Sequence, residues 1–136
     1  MKASRFGLLA LLPALACEAP SGPTSIRIQT RSATYAFGTA VTFTIVNGGS
    51  RAAYLARCCD VDYALDRWTA GRWATYSSGG CALVCPTDAI ELQSHGSYPG
   101  SAGVSDTGRY RLHVGVATAR SGQPDWSPTS NSFDVR

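Results

Sequence analysis

Apolar and polar residues alternate along much of this chain. The alternation is clearest between residues 108 and 116, where apolar side chains hold every second position: Tyr110, Leu112, Val114 and Val116. Charged or basic side chains (Arg109, Arg111, His113) fill the positions between them. Successive side chains of a strand point to opposite faces. The pattern therefore predicts a strand with one buried face, and it predicts that His113 points outward as a surface histidine.

Further segments with strand character follow one another from residue 25 onward. They are residues 25–30, 41–46, 52–57, 63–68, 72–76, 89–92 and 132–135, with a short edge segment at 34–37. Asn47-Gly48-Gly49-Ser50 predicts a hairpin between the second and third of these, and Thr69-Ala70-Gly71 predicts another. Pro99 and three glycines make residues 94–103 a loop or an irregular edge. Seven to nine short strands without a helical period predict an all-β, two-sheet antiparallel sandwich over residues 25–136.

The turn before the strand at 108–116 carries a resemblance to a known family of folds. Asp106-Thr107-Gly108-Arg109-Tyr110 resembles the tyrosine corner of immunoglobulin-like domains, in which the tyrosine hydroxyl bonds back to the backbone a few residues upstream. The resemblance implies an immunoglobulin-like sandwich with Asp106, Gly108 and Tyr110 as its structural corner. Leu112 stands where antibody domains have their second cysteine, so no antibody-type disulfide is implied. The alternative is an ordinary turn followed by a strand with a buried tyrosine.

The amino-terminal residues have the pattern of an export signal. Lys2 and Arg5 precede an uncharged apolar run that ends at Ala16, too short to span a bilayer as a helix. Ala14-Leu15-Ala16 followed by Cys17 resembles a bacterial lipoprotein box, although Leu stands one position later than is usual. The resemblance implies a signal peptide at 1–16, lipidation of Cys17, a tether at 17–24 and a membrane-anchored protein of the cell envelope. Plain secretion or release to the periplasm after Ala16, and an uncleaved segment, are the alternatives.

Four further cysteines suggest disulfide bonds. Cys58, Cys59, Cys81 and Cys85 make an even number in a chain predicted to be exported. We expect Cys58 and Cys59, pointing to opposite faces of a strand end, to bond to Cys81 and Cys85. Each bridge would contribute roughly 3 kcal/mol in the chain-entropy model. A thiolate metal site, with His95 as a further ligand, is the alternative, but adjacent cysteines do not have the usual spacing of zinc ligands.

Composition narrows the classes of function. The chain has 12 basic and 9 acidic residues; without Lys2 and Arg5 the balance is 10 to 9, or +1. No basic patch argues for nucleic acid. Two histidines and no Gly-x-Ser-x-Gly motif give no catalytic grouping, so we predict neither an enzyme nor a cofactor or metal. Asp66 is expected to be solvated, beside Arg67.

Three tryptophans are the candidate contact residues for a ligand: Trp68 and Trp73 across the second hairpin, and Trp126 in a loop. The sequence thus predicts a non-enzymatic binding or structural module of the cell envelope, attached to the membrane by its lipid, whose ligand is an unknown protein or glycan. Two alternatives remain. One is a peptidase inhibitor, because Phe43–Ser50 resembles a segment of small bacterial β-sandwich inhibitors. The other is a metal-handling protein that uses the cysteine cluster.

Overall fold

A computed structural model of the protein describes residues 25–78, 88–120 and 123–136. The predicted signal peptide, Cys17 and the tether, together with Cys81 and Cys85, lie outside the described residues. The strands are β1 Ile26–Thr30, β2 Thr34–Tyr35, β3 Val41–Asn47, β4 Ala53–Leu55, β5 Arg57–Cys58, β6 Asp60–Val61, β7 Tyr63–Thr69, β8 Arg72–Ser78, β9 Ile90–Leu92, β10 Ser97–Ala102, β11 Gly108–Val114, β12 Val116–Ala117 and β13 Phe133–Val135. Nine of these contain three or more residues, which agrees with the predicted seven to nine.

The strands form an immunoglobulin-like antiparallel β-sandwich, which confirms the predicted fold class. A five-stranded sheet has the order β2-β13-β11-β7-β8, and a three-stranded sheet has the order β1-β3-β10. The other sheets in the described residues are a second three-stranded sheet, β12-β4-β9, and the small β5-β6 pair. All pairs are antiparallel except β2 with β13. In the described part of the chain, no helix is long and apolar enough to cross a membrane.

The core lies where the alternating faces of the strands meet. Val41, Phe43 and Ile45 of β3 are buried, and β11 contributes Tyr110, Leu112 and Val114. Leu55 of β4 is fully buried in the same core. The period of two therefore identified the buried faces of β3 and β11 correctly.

The turn at Asn47-Gly48-Gly49-Ser50 is not a hairpin, and that prediction is wrong. Strand β3 pairs with β1 and β10, whereas β4 pairs with β12 and β9. The reason is Asn47, which is 1% exposed and whose Nδ2 donates to the carbonyls of Arg51 at 2.7 Å, Gln93 at 3.1 Å and Leu92 at 3.2 Å. These bonds hold the chain as it leaves one sheet for another.

The segment predicted as a loop or irregular edge at 94–103 contains a regular strand. Residues Ser97–Ala102 form β10, which pairs with β3 over six residues. It lies at the edge of its sheet, where a proline such as Pro99 is tolerated because no second neighbour needs its missing N–H. The prediction of an edge was thus right and the prediction of irregularity was wrong.

The cysteine pair does not lie in one continuous strand. Cys58 ends β5, Asp60 begins β6, and Cys59 between them forms a tight turn with a left-handed φ of 65°. Asp62 N donates to Ala56 O at 2.8 Å and closes the turn. Cys58 is partly exposed and Cys59 is exposed, so neither side chain is buried in the core.

Candidate functional site

The β7–β8 hairpin brings Trp68 and Trp73 together. Ala70 and Gly71 at its tip both have left-handed φ values, 51° and 79°, which is the geometry of a two-residue turn of type I′. This turn sets the register in which Trp68 lies directly opposite Trp73. Their ring centroids are 5.1 Å apart in an edge-to-face arrangement. The predicted hairpin is confirmed, and 43% of the surface of Trp68 is exposed.

Arg111 of the neighbouring strand covers Trp73. Its guanidinium carbon lies 4.7 Å from the centroid of the Trp73 ring, within the range of a cation–π contact. Nε and Nη2 of Arg111 each lie 3.0 Å from Oδ2 of Asp66, which is the cross-strand neighbour of Arg111. Asp66 is 8% exposed, so it is neither a solvated carboxylate nor the partner of Arg67 that sequence reasoning expected. The ion pair fixes the guanidinium over the indole.

His113 extends this network along β11. Its Nε2 lies 3.5 Å from Oδ1 of Asp66, and its Nδ1 shares a hydrogen bond of 2.9 Å with Oγ of Ser127. His113 does face outward, but it is held between two partners and is not a free surface histidine.

Sequence reasoning missed this grouping of Ser127, His113 and Asp66. Its members lie on β7, β11 and a loop, and only the strand register brings them together. Asp66 is also engaged by Arg111, and Oγ of Ser127 also donates to the carbonyl of Val114 at 3.3 Å. The arrangement orders side chains around Arg111 on a partly exposed surface. A nucleophilic catalytic site needs more than a serine, a histidine and an aspartate, because hydrogen-bond donors must also point at the oxyanion that forms during the reaction. We therefore interpret these three residues as part of the ordered surface around Arg111.

We call the surface formed by Asp66, Trp68, Trp73, Arg111 and His113 the tryptophan–arginine face. The alternation along β11 explains why these side chains share it. Tyr110, Leu112 and Val114 point into the core, so Arg111 and His113 point away from it. The face combines an exposed aromatic ring with a fixed cation and a carboxylate.

The two tryptophans lie at the end of the sandwich opposite to Ser25. Strand β1 begins with Ile26 beside Asn47 and runs away from that end toward Thr30. Residues 130–135 run parallel to β1 and include β13, which ends with Val135 beside Gly108. Trp68 follows Arg67, the partner of Tyr110, in the direction of Gly108. We call this the distal end; Phe37 also lies there, donating its N–H to the carbonyl of Arg136.

The corner at residues 106–110 supports the distal end. The Tyr110 hydroxyl donates to the carbonyl of Asp106 at 3.0 Å, the bond that characterises a tyrosine corner. Burial raises the pKa of this hydroxyl above its ordinary value. Gly108 has a φ of +151°, and a Cβ there would lie 2.9 Å from Nε of Arg67. Arg67 itself donates to the carbonyl of Thr107 at 2.7 Å, so it fills the space that the glycine leaves.

Trp126, the third candidate contact residue, is held against the sandwich. Its backbone N–H and carbonyl both bond to Val116, at 3.3 and 3.0 Å, and its side chain packs on the core. Asp125 accepts hydrogen bonds of 2.8 Å from the hydroxyl and the N–H of Thr118. These two bonds lower the pKa of Asp125, the hydroxyl having the larger effect. The structure therefore does not bring Trp126 into the tryptophan–arginine face.

The metal alternative uses four cysteines and His95, of which Cys58, Cys59 and His95 lie in the described part of the chain. Because Cys81 and Cys85 lie outside the described residues, the pairing stays a prediction. His95 is exposed in a turn with a φ of 57°. Within residues 25–78, 88–120 and 123–136, no group of three or more His, Cys, Asp or Glu side chains could hold a metal ion.

Comparison with known proteins identifies no family. No protein-family model matches the chain, and no curated protein matches it. Among solved structures, the chain is similar to the alkylpurine DNA glycosylase AlkC of Pseudomonas fluorescens bound to DNA, with 20% identity and a TM-score of 0.42. That match covers 82% of this chain but only 30% of AlkC.

Two further structures match over nearly their whole length. A PapD-like domain of human CEP192 has 16% identity and a TM-score of 0.38, with 97% of this chain and 94% of that domain covered. The CARDB domain of PF1109 from Pyrococcus furiosus has 10% identity and a TM-score of 0.37, with 82% and 94% covered. Likenesses this distant concern the fold alone.

Proposed function

We propose that this protein is a non-enzymatic binding module of the bacterial cell envelope and that its contact surface is the tryptophan–arginine face. The observation that carries the proposal is the exposed ring of Trp68, packed against Trp73 beside the fixed guanidinium of Arg111. Tryptophan and arginine are the residues most enriched where binding energy is concentrated. A side chain already held in its bound position loses little entropy when a ligand arrives.

The distribution of exposed apolar side chains supports this choice of surface. In the described part of the chain, the exposed large hydrophobic residues are Phe37, at 56%, and Trp68, at 43%. Both lie at the distal end. Of the two, Trp68 has fixed polar groups around it, and a contact site combines an apolar anchor with a few placed polar groups.

The predicted lipid anchor would orient the tryptophan–arginine face relative to the membrane. Lipidation of Cys17 would attach the chain to a membrane through residues 17–24, and the sandwich begins at Ser25. The distal end would then point away from the membrane, toward other components of the envelope. The proposal therefore combines the surface with the predicted export and lipidation, each of which can be tested separately.

The test is cosedimentation with isolated cell envelopes. The full chain is used with Cys17→Ser, so that a lipid does not contribute to binding, and with Trp68→Ala or Phe37→Ala added. We expect Trp68→Ala to weaken binding on the order of tenfold or more, as removal of a buried aromatic contact does. Phe37→Ala removes a similar exposed apolar group at the same end and should leave binding unchanged. Absence of binding by the parent, or equal losses in both variants, would contradict the proposal.

The alternative of a peptidase inhibitor finds no support in the segment that suggested it. Phe43, Ile45 and Asn47 are buried in the structure, and an inhibitory loop has to be exposed to enter a peptidase. The metal-handling alternative depends on Cys81 and Cys85, which lie outside the described residues.

A further inference from the structure

We infer that the ligand of the tryptophan–arginine face is a carbohydrate, bound with a sugar ring stacked on Trp68. This inference rests on the proposed function, because it names the ligand of the same surface. Three features of the face lead to it: one accessible indole ring, a guanidinium with unused donors, and an ion pair of Arg111 with Asp66 that carries no net charge.

The accessible indole belongs to Trp68. Arg111 covers the ring of Trp73 at 4.7 Å, so the second ring is already occupied. Trp68 touches Trp73 edge-to-face, with the ring planes at 66°, and keeps 43% of its surface exposed. The face of an indole is electron-rich and attracts weakly positive hydrogens. The C–H groups on one side of a pyranose ring form a flat and slightly positive surface, which complements the face of an indole.

The polar groups beside Trp68 match the hydroxyls of a sugar. Arg111 uses Nε and Nη2 on Asp66, and its Nη1 has no partner among the described residues. A guanidinium presents its donors in a rigid fork, which fits two oxygens on adjacent carbons. The Asp66 carboxylate, which is 8% exposed, holds this fork in place. Donors that are fixed in this way suit a vicinal diol, in which each oxygen can accept a hydrogen bond.

The charge and size of the face argue against other macromolecules. Asp66 neutralises Arg111, so this ion pair adds no excess charge that would attract a polyanion such as nucleic acid. A stable protein interface buries about 800 Å² on each partner, whereas one tryptophan supplies roughly 150–250 Å². A single ring surrounded by polar side chains has the dimensions of a sugar-binding subsite.

The test uses the same cosedimentation assay on chemically treated envelopes. Periodate cleaves the carbon–carbon bond of vicinal diols, whereas proteinase K removes exposed proteins and leaves glycans. Envelopes are treated with one or the other, quenched and washed before the Cys17→Ser chain is added. We expect binding to survive proteinase K and to fall at least to the level of the Trp68→Ala variant after periodate.

Binding that persists after periodate would overturn the inference that the ligand is a carbohydrate, whatever the result with proteinase K. It would leave the proposed binding function intact. Absence of binding to untreated envelopes would instead contradict the proposed function itself. A direct confirmation is a glycan microarray that includes peptidoglycan fragments and bacterial surface polysaccharides. The parent should bind at least one glycan there, the Phe37→Ala control should bind the same one, and Trp68→Ala should lose it; no bound glycan would also overturn the inference.

Discussion

The aromatic ring of Phe43 occupies the space above the Cα of Gly100. The two residues are partners in the antiparallel register of β3 and β10. A Cβ added to Gly100 would lie 2.5 Å from Cε2 of the ring, closer than real Cβ contacts. An aromatic side chain lying over a glycine of the neighbouring strand also protects the backbone of that edge strand. The glycine that counted against a strand in the sequence is thus part of how β10 packs.

Replacing Gly100 with alanine should destabilise the protein by about 1–3 kcal/mol, because the buried Phe43 must move to avoid the new methyl group. The matched control is Gly103→Ala, since no atom lies within 4 Å of a Cβ at that position. The control should change the free energy of unfolding by less than about 0.5 kcal/mol. Urea unfolding of both variants measures the difference. Equal midpoints for the two variants would contradict this account of the packing.

Asn47→Asp should be among the most damaging conservative substitutions in the chain. It replaces the amide donor with an oxygen that faces the carbonyls of Arg51, Leu92 and Gln93. We expect a loss of about 3 kcal/mol at neutral pH, from the lost bonds and the buried charge.

The loss in this variant should depend on pH. Burial among acceptors raises the pKa of the introduced carboxyl in the folded state, so the penalty is smallest at low pH and grows as the pH rises. Unfolding free energies at pH 4 and pH 7 measure this dependence. The control is Asn131→Asp, because Asn131 is exposed. If Asn47→Asp were as stable as the parent at pH 7, the hydrogen bonds of Asn47 would not be what holds the chain where it passes from one sheet to the other.

Acid should loosen the segment between Thr118 and Trp126. The folded-state pKa of Asp125 is lowered from its ordinary value of 3.8 by the hydroxyl and the N–H of Thr118. The stabilisation is therefore complete above that ordinary value, and it is lost as the pH falls through the lowered pKa. Trp126 fluorescence in an acid titration should report the change, and Asp125→Asn should abolish it. A midpoint of the fluorescence titration at or above pH 3.8 would contradict this prediction.

The oxidised protein should contain two disulfide bonds that join Cys58 and Cys59 to Cys81 and Cys85. Intact mass should then be roughly 4 Da lower before reduction than after it, since each bridge removes two hydrogens. Each bridge should contribute roughly 3 kcal/mol, so reduction should lower the urea midpoint strongly. Four thiols that react with an alkylating agent in the unreduced protein would exclude the bridges.

Local patterns were sufficient for the core strands and for the tryptophan hairpin. The period of two in β3 and β11 identifies the side chains that meet in the core, and Thr69-Ala70-Gly71 identifies a tight turn. A turn of known length fixes the register of its two strands, so the facing of Trp68 and Trp73 follows from the sequence between them. These are relationships over a few residues, which a single sequence encodes directly.

Long-range relationships could not be predicted in the same way. Asn47-Gly48-Gly49-Ser50 has the composition of a hairpin turn, and it becomes a crossover because Asn47 bonds to Leu92 and Gln93. Asp66 meets Arg111 because β7 and β11 are neighbours in a certain register, although 45 residues separate them in the chain. No local pattern specifies such a pairing. The aromatic half of the candidate site was therefore predictable, and its charged half was not.

The most direct test of the tryptophan–arginine face uses the three tryptophans as internal reporters. Their indole N–H signals can be followed by nuclear magnetic resonance while the polysaccharide fraction of isolated envelopes is added to the protein. The account predicts that the Trp68 and Trp73 signals shift or broaden with added ligand, while the signal of Trp126, held against the sandwich by Val116, stays in place. Movement of Trp126 alone, or no movement of any indole signal, would contradict it.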